Sequence, residues 1–420
     1  MINRIFLILS CLACSSCFSQ SIRFSKPDPQ PNLIDVYGGD FASGDLDGDG
    51  DQDLMILGIP NNTKLYFNDG MGDFEESLGT PFPKTGQGNL IFRDFDGDSD
   101  LDLFYSGKNG VLPDFTFIGD FSFIYLNDGS GSFTQNQNEG ISDTVDGRVV
   151  AGDLDNDGDE DVIISATDIY LNNGNASFTL VPGALPSPAL EFSVSELADL
   201  DNDGDLDIVV SGEQPGNLGF MGVYLNDGTA NFTFSTDSPF IQFKANDLDA
   251  GDLDGDGNVE ILVTGLDESN SVRSIIYRNN GDGSFIQSFG YSVTNLFAGT
   301  NTIADLDNDG DNDLILIGSQ NGGLPNIYGF IYENNGSGLA PVELIGGEYI
   351  ANNIVNDFNG DGLLDIVVQG FVDDTNLYFN TTGAENSISE VACMGDFNGD
   401  GMITITDLSG FLSQFGTTCE

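Results

Sequence analysis

The 420-residue chain has no tryptophan and no histidine, and only 11 lysines and arginines stand against 68 aspartates and glutamates. Without histidine it lacks the commonest general base, and with few cysteines it has little to offer zinc or copper. A formal net charge of −57 leaves no basic patch for nucleic acid or an anionic membrane surface. No apolar run is long enough to span a membrane. The longest near the start, Ile5 to about Leu12 behind Arg4, reads instead as the core of a signal peptide covering residues 1–19. The expected product is secreted or held at the cell surface, with lipid attachment through Cys11 or Cys14 as the alternative. Three of the five cysteines lie in that leader, so the mature chain keeps Cys393 and Cys419. An even pair in an exported protein suggests one disulfide.

What the chain has in excess is glycine and aspartate, and their placement is not random. The stretch DLDGDGDQD at 45–53 recurs as DFDGDSDLD at 94, DLDNDGDED at 153, DLDNDGDLD at 199, DLDGDGNVE at 252, DLDNDGDND at 305 and DFNGDGLLD at 357. With a further loop near the C-terminus these segments hold 36 of the 68 acids, a concentration that scattered surface acidity would not produce. After each comes an apolar run rich in β-branched residues, such as LMILG or IVVSG, then an aromatic strand and a turn, such as IYLNDGSGSF. Asn-Asp-Gly and Asn-Asn-Gly between apolar runs mark hairpins, because such turns need positive φ. Each unit therefore reads as four short antiparallel strands, and a unit repeating every 46 to 59 residues implies radial or stacked architecture. The seventh unit has no fourth strand after its turn, and QSIRFSKPD at 20–28 supplies one, so the N-terminal strand is expected to close a ring.

As a metal loop, residues 45–53 offer side-chain oxygens from Asp45, Asp47, Asp49 and Asp53, with the main-chain carbonyl of Asp51 between the last two. The same first, third, fifth, seventh and ninth positions are held in the second loop by Asp94, Asp96, Asp98, Asp100 and Asp102. In the third they are Asp153, Asp155, Asp157, Asp159 and Asp161, and in the fourth Asp199, Asp201, Asp203, Asp205 and Asp207. The fifth has Asp252, Asp254, Asp256, Asn258 and Glu260; the sixth Asp305, Asp307, Asp309, Asp311 and Asp313; the seventh Asp357, Asn359, Asp361, Leu363 and Asp365. Hard oxygen donors in this number suit Ca²⁺. Glycine or asparagine at the fourth position, and glycine at the sixth except for Ser99, lets the chain coil around an ion. An EF-hand is excluded by spacing, since its twelfth position here carries an apolar strand residue such as Ile56 or Val210. The seventh loop, with three carboxylates, is expected to be the weakest.

These loops and their flanking strands resemble the FG-GAP or VCBS repeats of the integrin α-subunit propeller and of many exported bacterial proteins. The resemblance covers about residues 40–383 and implies an all-β fold: a seven-bladed β-propeller of four-stranded antiparallel blades over residues 20–383. It also implies a calcium ion in the loop between the first two strands of a blade, about seven ions in all, and these are expected to be structural. Beyond a linker at 384–392, the segment DFNGDGMITITD offers Asp396, Asn398, Asp400, the carbonyl of Met402 and Asp407 in twelve residues. Leu408, Phe411, Leu412 and Phe415 follow at helical spacing. Residues 393–420 thus resemble half of a type I dockerin, a small module for one more calcium, with Cys393 and Cys419 at its ends. A plain helix packed on the propeller is the alternative.

No nucleophile elbow, phosphate loop or zinc signature is present, and the acids belong mostly to the metal loops, so a binding or adhesion module is expected rather than an enzyme. A polysaccharide lyase or glycosidase using tyrosine with aspartate or arginine is the alternative. The ligand would be an extracellular or cell-surface protein or glycan, met by a monomer. The lack of tryptophan weakens the case for sugar stacking. Recognition is expected on the face opposite the acidic loops, where the connections at 108–120, 213–221 and 319–328 are long and carry Phe115, Phe117, Phe220 and Tyr328.

Overall fold

The computed structural model describes residues 22–383, apart from short segments at 60–61, 112–115, 138, 144–147, 186–189, 237–239, 289, 298, 321–326, 337, 346–349 and 371–374. The expected signal peptide, the linker and the C-terminal module with Asp396, Asn398, Asp400, Met402, Asp407, Cys393 and Cys419 lie outside the described residues, as does Phe115. The described residues form seven four-stranded antiparallel sheets and no helix. The first blade is Tyr37–Gly44, Asp53–Ile59, Asn62–Asn68 and Phe74–Glu76. Five more follow in the same order, and each acidic loop joins the first strand of a blade to the second.

The apolar second strands explain how the blades pack. Asp53–Ile59 is buried along almost its whole length, as are Asp207–Gln214 and Asp313–Ser319. A strand covered on both faces needs an unbroken apolar run, and LMILG, IVVSG and LILIG provide one. The core accordingly lies between blades. One apolar cluster joins the first blade to the second through Met55, Leu57, Leu103 and Tyr125; another joins the fourth to the fifth through Val209, Val223, Ile261 and Tyr277. Every successive pair has such a cluster, including the seventh blade with the first, where Val367 and Leu377 meet Leu54, Ile56 and Tyr66. This last cluster closes the ring.

Closure is completed by strand pairing from the chain's beginning. Phe24–Ser25 pairs antiparallel with Asn376–Asn380, Phe24 opposite Asn380, and forms the outer strand of the seventh blade. Ile22 is 1% exposed and packs into the cluster between the sixth and seventh blades. The expected strand exchange is therefore present, and it covers the edge that Asn376–Asn380 would otherwise expose.

The inner edges are covered differently. Asp40, Asp247 and Asp249 on first strands accept backbone N–H groups of the next blade's first strand, from Leu90 (2.9 Å), Asn301 (2.7 Å) and Ile303 (2.7 Å). Arg148 reaches Asp247 at 2.8 Å, and attraction to Asp247, Glu196, Asp40 and Asp249 raises its affinity for the proton. Burial pushes Asp40 and Asp249 up to about 6 and Glu196 to about 7. These groups line or adjoin an axial cavity of about 690 Å³ bounded by the inner strands of the first four blades.

Candidate metal centres and the opposite rim

Each acidic loop is folded by its own carboxylates before any ion is considered. In the first, Asp45 accepts from Gly48 N–H (2.8 Å) and Gly50 N–H (3.0 Å), while Asp49 accepts from Asp51 N–H (3.0 Å). Positions four and six adopt positive φ throughout: Gly48 +78°, Asn156 +60°, Asn202 +63° and Asn308 +58° at the fourth; Gly50 +96°, Ser99 +78° and Gly204 +95° at the sixth. The sequence expectation for these positions holds, and Ser99 carries a left-handed backbone without glycine's freedom.

The loops gather oxygens. Carboxylate oxygens of Asp45, Asp47 and Asp53 lie within 4.8 Å of one another, as do those of Asp94, Asp96 and Asp102, of Asp153, Asp155 and Asp161, and of Asp199, Asp201 and Asp203. One oxygen of five of the six third-position acids, Asp47, Asp96, Asp155, Asp201 and Asp254, is buried with no hydrogen-bond donor, and Asp199 has one as well. Such oxygens are costly unless something positive meets them. Burial first, then repulsion by the neighbouring acids, raises the carboxyls of Asp47, Asp96, Asp155 and Asp201 above the usual range, and takes Asp307 to about 6. The donor set is all oxygen and fits a hard divalent cation.

The seventh-position side chains take no part in this cluster. Asp51, Asp100, Asp159 and Asp205 lie over the turn glycines Gly70, Gly129, Gly174 and Gly228, close enough that a Cβ there would sit 2.5–2.6 Å from a carboxylate oxygen. Asn258 lies likewise against Gly281, and Asp311 against Gly336. Position seven is left with its carbonyl, as the loop reading requires. In the seventh loop Asn359 turns its amide to Asp361 (3.1 Å), and Leu363 donates its N–H to Asp361 (2.9 Å).

The ninth-position acid has a second task that the sequence did not reveal. Asp53 is fully buried and accepts Leu46 N–H and Asn68 N–H, both at 2.9 Å. Asp102, Asp161, Asp207, Glu260, Asp313 and Asp365 repeat the pair of bonds at 2.7–3.3 Å. Burial pushes each of these carboxyls up to about 7. The asparagine that donates to it, last in the third strand, also reaches across to the preceding blade. Asn127 donates to Leu46 O, Asn172 to Phe95 O, Asn226 to Leu154 O, Asn279 to Leu200 O, Asn334 to Leu253 O, Asn380 to Leu306 O and Asn68 to Phe358 O, all at 2.7–2.9 Å. Every acidic loop is thus latched to the next blade around the whole ring. The hairpin signal that these asparagines gave is correct, and the positive φ it requires is carried by the turn glycine, Gly70, Gly129 or Gly174 for example, two residues further on.

The opposite rim differs from its expected form. Residues 213–221 are not an open loop: Asp207–Gln214 and Leu218–Asn226 stay paired to Gln214 opposite Leu218, with a tight turn through Gly216 and Asn217. Asp102–Val111 and Thr116–Asn127 likewise continue as a ladder that sets Gly110 opposite Phe117. Backbone pairing satisfies these long connections better than solvent-exposed coil would. Phe220 is half-buried and stacks on Phe234 at 6.3 Å; Tyr328 is half-buried, 5.9 Å from Phe330. The exposed groups at this end of the fourth blade are others: Phe192, 78% exposed in a bulge with φ +52°, and Leu218, 49% exposed. Neither had a motif to announce it. No helix among the described residues is long and apolar enough to cross a membrane.

Comparison with known proteins accords with this geometry. No curated protein sequence gave a match. Among solved structures, BBS1N in complex with ARL6DN covers 85% of this chain and 96% of its own at 13% identity, with a TM-score of 0.51. The BP39L lectin from Burkholderia pseudomallei covers 81% and 98% at 11% identity, with a TM-score of 0.50. A Trypanosoma rangeli sialidase in complex with the inhibitor DANA is more distant, covering 82% and 60% at 11% identity with a TM-score of 0.43. At these identities the likeness is one of fold. The model of the FG-GAP-like repeat matches residues 45–105, 165–210, 199–263, 252–316 and 305–368, well over half of the chain and six of its seven acidic loops, so that the chain belongs to the FG-GAP-like repeat family.

Proposed function

We propose that this protein is an exported, calcium-stabilised propeller that binds a cell-surface or extracellular protein or glycan on the rim opposite its acidic loops. The observation that carries the reading is the division of labour between the two rims. One gathers buried carboxylate oxygens that lack donors; the other presents paired hairpins and exposed apolar groups, Phe192 and Leu218, at one end of the fourth blade. Calcium is the ion whose coordination suits such a donor set and which is abundant outside cells. Its binding energy becomes folding energy in loops whose carboxylates otherwise repel one another. An aromatic residue held exposed in a left-handed bulge is a strained arrangement of the kind that clusters at ligand sites. Two solved propellers of similar fold are described as a domain in complex with a protein and as a lectin, uses that this scaffold would share. A lyase or glycosidase would need free acids. Asp40, Asp247 and Asp249 beside the axial cavity are instead engaged by backbone amides of the next blade.

The test is a glycan and protein array probed with the mature protein, with and without calcium. Binding that is lost in the double variant Phe192→Ser, Leu218→Ser at unchanged melting temperature supports the reading. Binding that survives this variant but disappears when residues 393–420 are removed would move recognition to the tail and leave the propeller as a support. A melting temperature indifferent to excess chelator would sink the calcium part.

A further inference from the structure

The seven loops are not electrostatically equal, and the difference comes from the strand beneath them. Between the tyrosine of the third strand and its latch asparagine, the blades carry Phe67, Leu126, Leu171, Leu225, Arg278, Glu333 and Phe379 in turn. In the first four blades this position is apolar and brings no charge to the loop. In the fifth, the Arg278 guanidinium stands 2.9 Å from Asp254 Oδ2 and 3.0 Å from Asp256 Oδ2, third- and fifth-position acids of its own blade's loop. The other oxygen of Asp256 accepts from both the N–H (3.0 Å) and the side-chain amide (2.7 Å) of Asn258. Both oxygens of this ligand are therefore already held by protein donors. The loop has also lost a charge at position seven, where Asn258 replaces aspartate.

Resting on the reading that these loops bind calcium, we propose that Arg278 is a built-in counter-cation that offsets part of the fifth loop's charge and makes it a weaker, more exchangeable site than the first four loops. A divalent ion entering there must share Asp254 and Asp256 with a guanidinium a few ångströms away, whereas in the third loop Arg93 meets Glu160, which is not at a ligand position, at 3.4 Å. The arginine also keeps the loop in shape when no ion is bound. The Arg278 side chain is 47% exposed, so it has room to swing aside and costs affinity rather than barring the ion. The seventh loop is weak for an unrelated reason, its Asn359 and Leu363, so the two sites can be separated by mutation.

The experiment counts ions. The full mature chain is titrated with calcium against a chromophoric chelator, and retained metal is measured by elemental analysis after gel filtration. Arg278→Leu, the residue of blades two to four, is expected to tighten one site about tenfold or more and to raise the number of retained ions by one. It should also lower the melting temperature of the chelated protein. Arg278→Lys, which keeps the charge, should retain the wild-type number. Arg278→Gln serves as a second neutral variant should the leucine compromise folding. An unchanged ion count and affinity in both neutral variants overturns the proposal. A wild-type protein that retains no calcium at all overturns the calcium reading itself, an outcome distinguishable from the first.

Discussion

The asparagine latch makes a prediction whose size can be worked from the structure. Asn226 is 4% exposed, and its amide donates to Leu154 O of the third blade at 2.8 Å and to Leu206 O of its own loop at 3.1 Å. Asn226→Ala removes one buried and one partly buried hydrogen bond, each contributing about 1 kcal/mol net. Leu154 O keeps a second donor in Ala230 N–H at 2.9 Å, so its loss is partial, whereas Leu206 O loses its side-chain donor and bears roughly 1–2 kcal/mol of desolvation. The expected cost is therefore about 2–4 kcal/mol. The assay is urea unfolding at saturating calcium, so that ion binding is the same in all variants. Asn231→Ala removes only an exposed bond to Asp227 and is the control, expected to change stability by less than about 0.5 kcal/mol. Asn226→Asp keeps the volume but offers no donor and turns a carboxylate toward two carbonyls, so it should be at least as damaging as alanine. If Asn226→Ala unfolds with the control, or Asn226→Asp with the parent, the latch does not hold the blades together and the reasoning is refuted.

Four further outcomes are expected. The ninth-position acids, raised by burial to about 7, stay protonated in the folded state between about pH 4 and 7, where an unfolded carboxylate is already charged. Their contribution is full below about pH 4 and is lost as pH rises through about 7. The chelated protein should thus melt lower at pH 8 than at pH 5.5, and calcium should narrow the gap; a chelated protein more stable at pH 8 would contradict this. Ile22→Ala should cost about 2–5 kcal/mol by opening a cavity beside Ile366 and Val368, and deletion of 20–28 should yield aggregates or an unstable monomer by size-exclusion and melting; a stable deletion variant would mean the ring closes another way. Ser99→Gly should gain about 1 kcal/mol, because Ser99 holds φ +78°; equal denaturation midpoints would argue against strain there. Asp199→Ala should lower calcium-dependent stability more than Asp357→Ala, since the seventh loop begins with fewer carboxylates; the reverse order in calcium-saturated melts would show that charge count does not rank the sites.

By itself the sequence determined the repeat, the blade count and the loop chemistry. Aspartate at alternate positions, glycine or asparagine at the fourth and an apolar run after the ninth are local patterns, and local patterns survive in one dimension. The missing seventh outer strand and its N-terminal substitute were legible for the same reason: a period that lacks one member points to it. Only the tertiary structure decided what depends on neighbouring blades. It gave Asp207 two backbone partners, Leu200 and Asn226, which lie on opposite sides of it in sequence. It turned the asparagine of each hairpin signal into a bolt to the blade before. It kept Phe220 half-buried while Phe192, in a bulge with no motif, faces solvent. It set Arg278 against Asp254 and Asp256, some twenty residues earlier, because antiparallel pairing of Glu260–Asp267 with Val272–Asn279 returns the chain to the loop. In each case the partner is chosen by the ring's geometry, which the repeat announces, and by a register between strands that no single repeat contains.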